Sequence, residues 1–513
     1  MESQEFYARN GQSFEWGRVP VLDEDSFRQK ILKECSQGAR LVNLFACPEE
    51  EDAGNFRIFS MLGKDQEGTL AVFSMRILLD KASFQSLTPQ LPQAQMFERE
   101  MAEQFAITPV GHPWLKPLRY HQNYRRVPDL WSEIFSKLIP GAPGECPFYR
   151  VEGEEAHEVA VGPVHAGIIE PGHFRFQCHG EEILNLEIQL GYQHRGIEKM
   201  MEEVSPERAV LLAESIAGDS VIGHAMAYCH LMESLSETEI SPRAEAIRAI
   251  ALELERLSNH VGDLGALSTD IGFLPPSAYF GRLRGEFLNL LMELSGNRYG
   301  RSLCRPGGVL FDLNQDMIRD FRKRLLLAQK DLKEISDLFF TKPSVLSRLE
   351  GTGIVSHQTA QELGLVGPAA RASGCGLDVR TDYAFGMYRF YHIPISTVAS
   401  GDVYARALIR WLESQRSIEF LLEMLNQIPE GDLQIKISAL KPNQMALAMI
   451  EGWRGEIVHV AITDSNSRVT RYKIKDPSFN NWMGLSMAVR GAQISDFPLC
   501  NKSFNLSYAG HDL

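Results

Sequence analysis

The sequence predicts an α+β protein in two parts: a small N-terminal α+β domain, then a large domain with a helical-bundle core and peripheral β-hairpins. Three observations carry this. Early segments such as NFRIFSMLG (55–63) alternate apolar and polar residues with the period of a half-buried strand. Midway, Ile247, Ile250, Leu254, Leu257, Val261 and Leu264 recur at 3-4-3-4-3 spacing, one continuous helical stripe. Near the end, GEIVHVAITDSNSRVTRYKIKD (455–476) reads as two strands about a polar turn at Asp464–Ser467.

Each element follows in order. Residues 1–137 form the small domain. VNLFA (42–46), NFRIFSMLG (55–63) and GTLAVFSMRI (68–77) are its strands, separated by acidic or Gly turns. FEREMAEQFAI (97–107) has helical spacing, and GHPWLKPLRY (111–120) is a loop because Pro113 and Pro117 break regular structure. Residues 138–149 are a linker, in which LIPGAPGE (138–145) carries Gly or Pro at four of its eight positions. The large domain runs from 150 to 513. Its residues 154–192 alternate and turn like a meander of short strands, and 196 to about 345 are strongly helical. The best helix starts at Ser241-Pro242, an N-cap followed by Pro at the first helical position. Its apolar stripe is core, with Glu253, Glu255, Arg256 and His260 on its flanks. Further helices are expected across 317–340 and 400–425.

Composition excludes several function classes. The chain has 513 residues, room for about three domains or two with one large. Lys+Arg 52 against Asp+Glu 66 gives a net charge of −14 with no basic run, which argues against nucleic-acid binding. No apolar stretch reaches membrane-spanning length, and the N-terminus has no secretory pattern. A cytoplasmic protein is expected, one that reaches the membrane only through partners. The eight cysteines, at 35, 47, 146, 178, 229, 304, 375 and 500, contain no C-x-x-C pair. That removes a local zinc knuckle, a ferredoxin-type cluster loop and a thioredoxin-like redox pair.

Two sets of motifs carry a family resemblance. FERE-x(4)-FAI-x(3)-GHPWLKPLRY resembles the small quinone-module subunit of respiratory complex I, often fused ahead of its large partner. GPVHAGIIEPGHFRF (162–176), HRGIEK (194–199), RAEAIRAIALELERLSNH (243–260), VGPAARASG-x(3)-D-x-R-x-D (366–382), EGWRGEI (451–457) and YKIKDPSFNNW (472–482) resemble the large subunit of group-four membrane-bound nickel–iron hydrogenases and its complex I descendant. The resemblance implies the hydrogenase large-subunit fold and a peripheral place in a membrane-bound complex, on the inner face of the cell membrane. The implied partners are a small iron–sulfur subunit, a ferredoxin-like subunit and antiporter-like membrane subunits. The iron–sulfur clusters would sit in the partner, and no cofactor is expected on this chain unless a quinone binds.

The sequence departs from the family at its metal site. Four thiolates hold nickel and bridge it to iron; the family supplies them as two C-x-x-C pairs. The early pair belongs to the pattern E-R-[IV]-C-G-x-C-x(3)-H-x(2)-AY, and here ESIAGDSVIGHAMAY (214–228) places Ala217 and Ser220 at the Cys positions. The late pair falls in SDFPLCNKSFNLSYAG (495–510), at Ser507 and Gly510. Cys229 and Cys500 are out of register by nine and seven residues. No metal is expected, and the chain resembles a cysteine-free, energy-converting-hydrogenase-related branch. Hydrogenases of this type have a C-terminal extension clipped after nickel insertion, and an ending at Leu513 is expected to leave none.

Complex I also lost these cysteines and reused the cavity for quinone. His165 matches its quinone-binding His, whereas the position of its Tyr falls on Gly218. Asp219, Ser220 and Tyr508 are candidates to repopulate the cavity. Glu198 matches a hydrogenase proton-relay Glu; beside a closed cavity its pKa would be raised, and its alternative is an ion pair with Arg195 or Lys199. His194 and Arg195 are expected to hold the helix start and the partner interface. Arg282, Arg284 and Arg298 fall where the family faces the iron–sulfur partner. Arg371, Asp378, Arg380 and Asp382 are expected to form a buried ionic lattice. Two functions stay open: redox chemistry on a non-metal acceptor such as quinone, coupled to ion translocation, or a non-catalytic coupling subunit. A polar cavity lined by His165, Glu198 and Tyr508 favours the first, and one filled by Phe504 and Leu506 the second.

Overall fold

The computed structural model describes residues 5–49, 55–78, 82–125, 127, 130–131, 147–153, 155–164 and 170–513. The expected linker run LIPGAPGE and the candidate His165 lie outside them.

The N-terminal sheet orders its strands Tyr7–Ala8, Thr69–Leu78, Asn55–Lys64 and Arg40–Pro48, with Val21–Leu22 running parallel to Thr69–Leu78. Helices Glu24–Ser36 and Gln95–Phe105 cover it, burying Phe27, Ile31, Phe97 and Met101 against Leu44, Ile58 and Phe73. The meander Ala156–Val161, His173–His179 and Glu182–Gln189 forms a second, antiparallel sheet. The C-terminal sheet contains the expected hairpin, Gly455–Thr463 paired with Val469–Lys475, and adds Gln444–Gly452. Its fourth strand is Ser13–Glu15, with Phe14 opposite Met445. Ser13–Glu15, from the N-terminal part of the chain, thus completes a sheet of the large domain.

The helix predicted at Ser241 runs Pro242–Asp270. The Ser241 hydroxyl accepts the Ala244 N–H at 3.1 Å, a cap that contributes about 1 kcal/mol. The helix ends where Gly272 takes a left-handed φ of 76°. It packs between helices Leu274–Ser295 and Val403–Asn426, and the outer helix Gln315–Thr341 covers Leu274–Ser295 in turn. Its polar flanks do not face water. Arg248, Glu253, Glu255, Arg256, His260 and Asp263 are all buried, because helices Val221–Leu235 and Val403–Asn426 and the C-terminal sheet close over them.

An ionic junction ties the N-terminal sheet to the C-terminal one. Arg40 forks onto Asp65 and Glu456, and Lys475 Nζ meets Glu456 Oε1 at 2.7 Å. Burial alone would raise the Glu456 carboxyl, but Arg40 and Lys475 outweigh it and bring the pKa from 4.5 down to about 2. A lowered carboxyl stabilises the fold fully above its unfolded pKa and loses that contribution as pH falls through the folded value. Glu456→Gln should therefore cost stability above about pH 4.5. The deficit against wild type should shrink towards pH 2. Urea unfolding followed by circular dichroism across that range checks this; a deficit independent of pH would contradict it.

Candidate functional site

Two segments build the site, the start of helix Val221–Leu235 and the loop before helix Tyr508–Asp512, and arginines bring them together. Arg195 donates to the carbonyls of Ser215 (2.6 Å), Ile216 (2.9 Å) and Ala509 (3.2 Å). Arg454 donates to Asn505 O at 2.6 Å and grips Asp219 with both terminal nitrogens at 2.6 and 2.8 Å, over the Trp453 ring. Bidentate Arg–carboxylate pairs fix orientation as well as charge. Asp219 keeps its side chain one-third exposed (33%), so this carboxylate faces accessible space. Glu170 joins it: its Oε2 accepts Ala509 N–H at 2.8 Å, and burial holds its pKa up, with Asp219 adding to the rise.

The four positions matched to thiolates are buried here. Ala217 O accepts the Ser220 N–H at 3.0 Å. Ser220 Oγ lies 3.4 Å from Arg454 Nη1 and makes no helix cap. Glu255, from the central helix, takes that capping role by accepting Ile222 N–H (2.7 Å) and Gly223 N–H (3.1 Å). Burial outweighs those bonds, and with Asp219 close by it pushes Glu255 up to about 8. Ser507 Oγ caps the last helix by accepting Gly510 N–H at 2.9 Å, and Ser507 N–H donates to Ser478 Oγ at 2.8 Å.

Gly510 is the informative position. A Cβ there would lie 2.6 Å from the carboxyl carbon of Asp476. The Asp476 carboxylate occupies the space from which a thiolate at 510 would project. With Ala, Ser and Ser at the other three positions, these four residues offer no thiolate to a nickel–iron group. Gly510→Ala should cost about 1–3 kcal/mol by overpacking, and Asp476→Ala in the same chain should recover part of it. Additive losses in a thermal double-mutant cycle would contradict the steric reading.

Asp476 leads inward to residues not singled out above. Its Oδ2 lies 3.1 Å from His224 Nε2, His224 Nδ1 lies 3.1 Å from His459 Nε2, and His459 Nδ1 lies 2.8 Å from the Tyr472 hydroxyl. All four side chains are buried. His224 is the His of the early pattern, so the signal was present in the motif; its partners were not.

The remaining candidates are dispersed. Glu198 accepts from Lys473 Nζ (2.9 Å), Ile474 N–H (2.9 Å), Gln104 (2.9 Å) and Arg471 (3.3 Å). Burial is opposed by Lys473, Arg471 and Arg119, which hold its pKa well below the usual carboxylate range. The expected upward shift is thus reversed, and its ion pairs are with the C-terminal sheet, not with Arg195 or Lys199. The Tyr508 ring packs edge-on against Trp482 at 4.8 Å and fills the space above Gly172. Among the described residues, Glu198 and Tyr508 have separate partners and do not line one cavity. Phe504 and Leu506 are buried, with Phe504 under Arg406 at 4.4 Å. His194 stacks on His121 at 4.6 Å and bonds Asp512 O at 2.8 Å, and burial with His121 lowers it to about 4. Arg282 pairs with Asp331, Arg284 lies along Gly262, and Arg298 is exposed beside Tyr299. Arg371 bonds Glu413 (2.7 Å) and Glu451 (2.9 Å), Arg380 bonds Asp378 (2.7 Å) and Glu253 (3.0 Å), and Asp382 accepts Asp378 N–H (2.9 Å).

Known proteins match this arrangement. Residues 270–445 and 435–512 match the family described as the respiratory-chain NADH dehydrogenase 49 kDa subunit, and residues 28–129 match its 30 kDa subunit. Formate hydrogenlyase subunit 5 of Escherichia coli (strain K12) is 29% identical over 494 residues, spanning 93% of this chain and 85% of that protein. The carbon monoxide-induced hydrogenase of Rhodospirillum rubrum is 31% identical, over 68% of this chain and 97% of its own. NADH-quinone oxidoreductase subunit 4 of Thermus thermophilus is 29% identical, over 71% of this chain and 95% of its own. Among solved structures, a chain of the membrane-bound sulfane sulfur reductase, an archaeal respiratory membrane complex, shares the fold. Its TM-score is 0.66 at 24% identity, over 71% of this chain and 100% of that one.

Proposed function

The chain belongs to the family of complex I 49 kDa subunits and group-four membrane-bound hydrogenase large subunits, fused to a 30 kDa-type domain, and on that premise we propose that its former metal cavity now serves proton-coupled electron transfer to a non-metal acceptor. The protein is a peripheral subunit of a membrane-bound oxidoreductase complex of the kind its relatives form. Among the described residues no helix is long and apolar enough to cross a membrane, which fits attachment through membrane partner subunits. An iron–sulfur subunit, a ferredoxin-like subunit, antiporter-like subunits and the cytoplasmic face complete the reading, with electron flow coupled to ion translocation.

One observation carries it: the Asp476 carboxylate stands where a fourth thiolate would project, backed by His224. Around it, Asp219, Glu170 and Glu255 supply carboxyl groups, and Arg454 supplies a fixed positive charge. Such a set can hold a proton and offer hydrogen bonds to the carbonyl oxygens of a quinone-type acceptor. His165, matched in sequence to the quinone-binding His of complex I, is the second proposed donor. The packing of Phe504 and Leu506 favours the coupling-subunit alternative, and turnover separates the two.

Nickel and iron analysis of the native complex, paired with reduction of a soluble quinone analogue, tests the reading. Iron without nickel together with quinone reduction supports it. Stoichiometric nickel overturns it, and so does electron transfer that is indifferent to Asp219.

A further inference from the structure

The chain Asp476–His224–His459–Tyr472 is longer than structural bonding requires. Helix Val221–Leu235 and strand Gly455–Thr463 already pack through Ile222, Met226 and Ile457 in the core. The polar row between them consists of groups that can each change their hydrogen-bonding role. A neutral imidazole donates from one nitrogen and accepts at the other, and a phenol hydroxyl does either.

In one polarity His459 Nδ1–H donates to the Tyr472 oxygen, His224 Nδ1–H donates to His459 Nε2, and the bare His224 Nε2 faces the Asp476 carboxylate. Both rings are then neutral, and Asp476 carries a buried negative charge. Its nearest guanidinium, Arg454, is already engaged by Asp219. The other charges near the rings are Glu198 and Lys473, which pair with each other at 2.9 Å. A carboxylate in this setting favours one added proton on its neighbour, since an unpaired buried charge is costly. A second proton would place two imidazolium rings in contact.

We propose that His224 and His459 form a proton-loading pair that exchanges one proton with the cavity through Asp476. It rests on the proposed reading of that cavity and extends it to the source of the proton. Loading adds one proton at the Asp476 end. Asp476 passes it to the bare His224 Nε2, which makes His224 an imidazolium against the carboxylate, while His224 Nδ1–H still donates to His459 Nε2. His459 Nδ1–H keeps donating to the Tyr472 oxygen, whose hydroxyl hydrogen points away from the ring. Unloading reverses these steps and gives one proton through Asp476 to the acceptor when that acceptor is reduced. No electron passes through the pair.

Infrared redox-difference spectra of the native complex, reduced with dithionite, test this in protein labelled with 15N-histidine. Imidazole bands sensitive to the label should appear on reduction in wild type. They should vanish in His224→Gln and His459→Gln and weaken in Tyr472→Phe. Turnover should fall about tenfold or more in the histidine variants, with a larger solvent deuterium isotope effect, while Tyr228→Phe beside the row leaves both readouts unchanged. Where a histidine variant does not assemble, Tyr472→Phe, which deletes one oxygen, carries the test. Wild-type spectra without label-sensitive imidazole bands overturn the loading pair, even if turnover depends on Asp219. Bands that appear in wild type and vanish in the variants, with turnover indifferent to Asp219→Asn, uphold the pair and reject the acceptor site instead.

Discussion

Glu413→Gln should destabilise the protein by about 3–5 kcal/mol, the cost of breaking a buried ion pair from one side. Glu413 sits on helix Val403–Asn426 and meets three groups: Arg371 Nε at 2.7 Å, Arg256 Nη2 at 2.6 Å and His260 Nε2 at 3.2 Å. Burial would raise its pKa, but Arg371, His260 and Arg256 hold it far below the usual carboxylate range. Gln keeps the shape and removes the charge, which leaves two buried guanidinium groups short of a counterion. Glu451 pairs with Arg371 and Glu253 with Arg256 at 3.5 Å, and they compensate only in part. Thermal unfolding should show a clear drop in midpoint or a loss of folded yield. A change within about 0.5 kcal/mol, typical of a surface site, would mean that the lattice does not support the fold.

Asp219→Asn should lower turnover of the native complex about a hundredfold, with a stability loss of about 1–3 kcal/mol, smaller than for Glu413→Gln. The two effects separate because Asp219 is held by Arg454 on one side and is one-third exposed (33%) on the other. An amide still accepts one of the Arg454 bonds, so the loop keeps its shape. It removes the carboxylate charge and leaves Arg454 uncompensated beside the proposed acceptor position. Initial rates with a quinone analogue, alongside unfolding midpoints, check both halves. Wild-type turnover would favour a coupling role for this subunit over a redox one.

Much of the architecture was legible as pattern. The Ile247–Leu264 stripe, the capping Ser241 and the alternating runs at 55–63 and 455–476 are local signals, because helix and strand periods are set within a few residues. The strand Ser13–Glu15 was not, since three residues hold no period, and its place beside Met445 depends on distant packing. The same limit governs the candidate site. Glu198 could be weighed only against Arg195 and Lys199 at helical spacing; its actual partners, Lys473 and Arg471, come from a strand far along the chain. Glu170 and His224 lay inside quoted motifs, but nothing in those motifs says that one meets Ala509 and the other Asp476.

The sequence by itself determined which residues stand at the four positions that the family resemblance matches to thiolates, Ala217, Ser220, Ser507 and Gly510, none of them a cysteine. Side-chain chemistry at a known register needs no coordinates. Only the tertiary structure decided what faces those positions. Asp476 reaches the space beside Gly510 because the C-terminal hairpin ends there, and His224 fixes it because helix Val221–Leu235 packs against that same sheet. Contacts between segments remote in the chain follow from how whole surfaces bury one another, which no local period encodes.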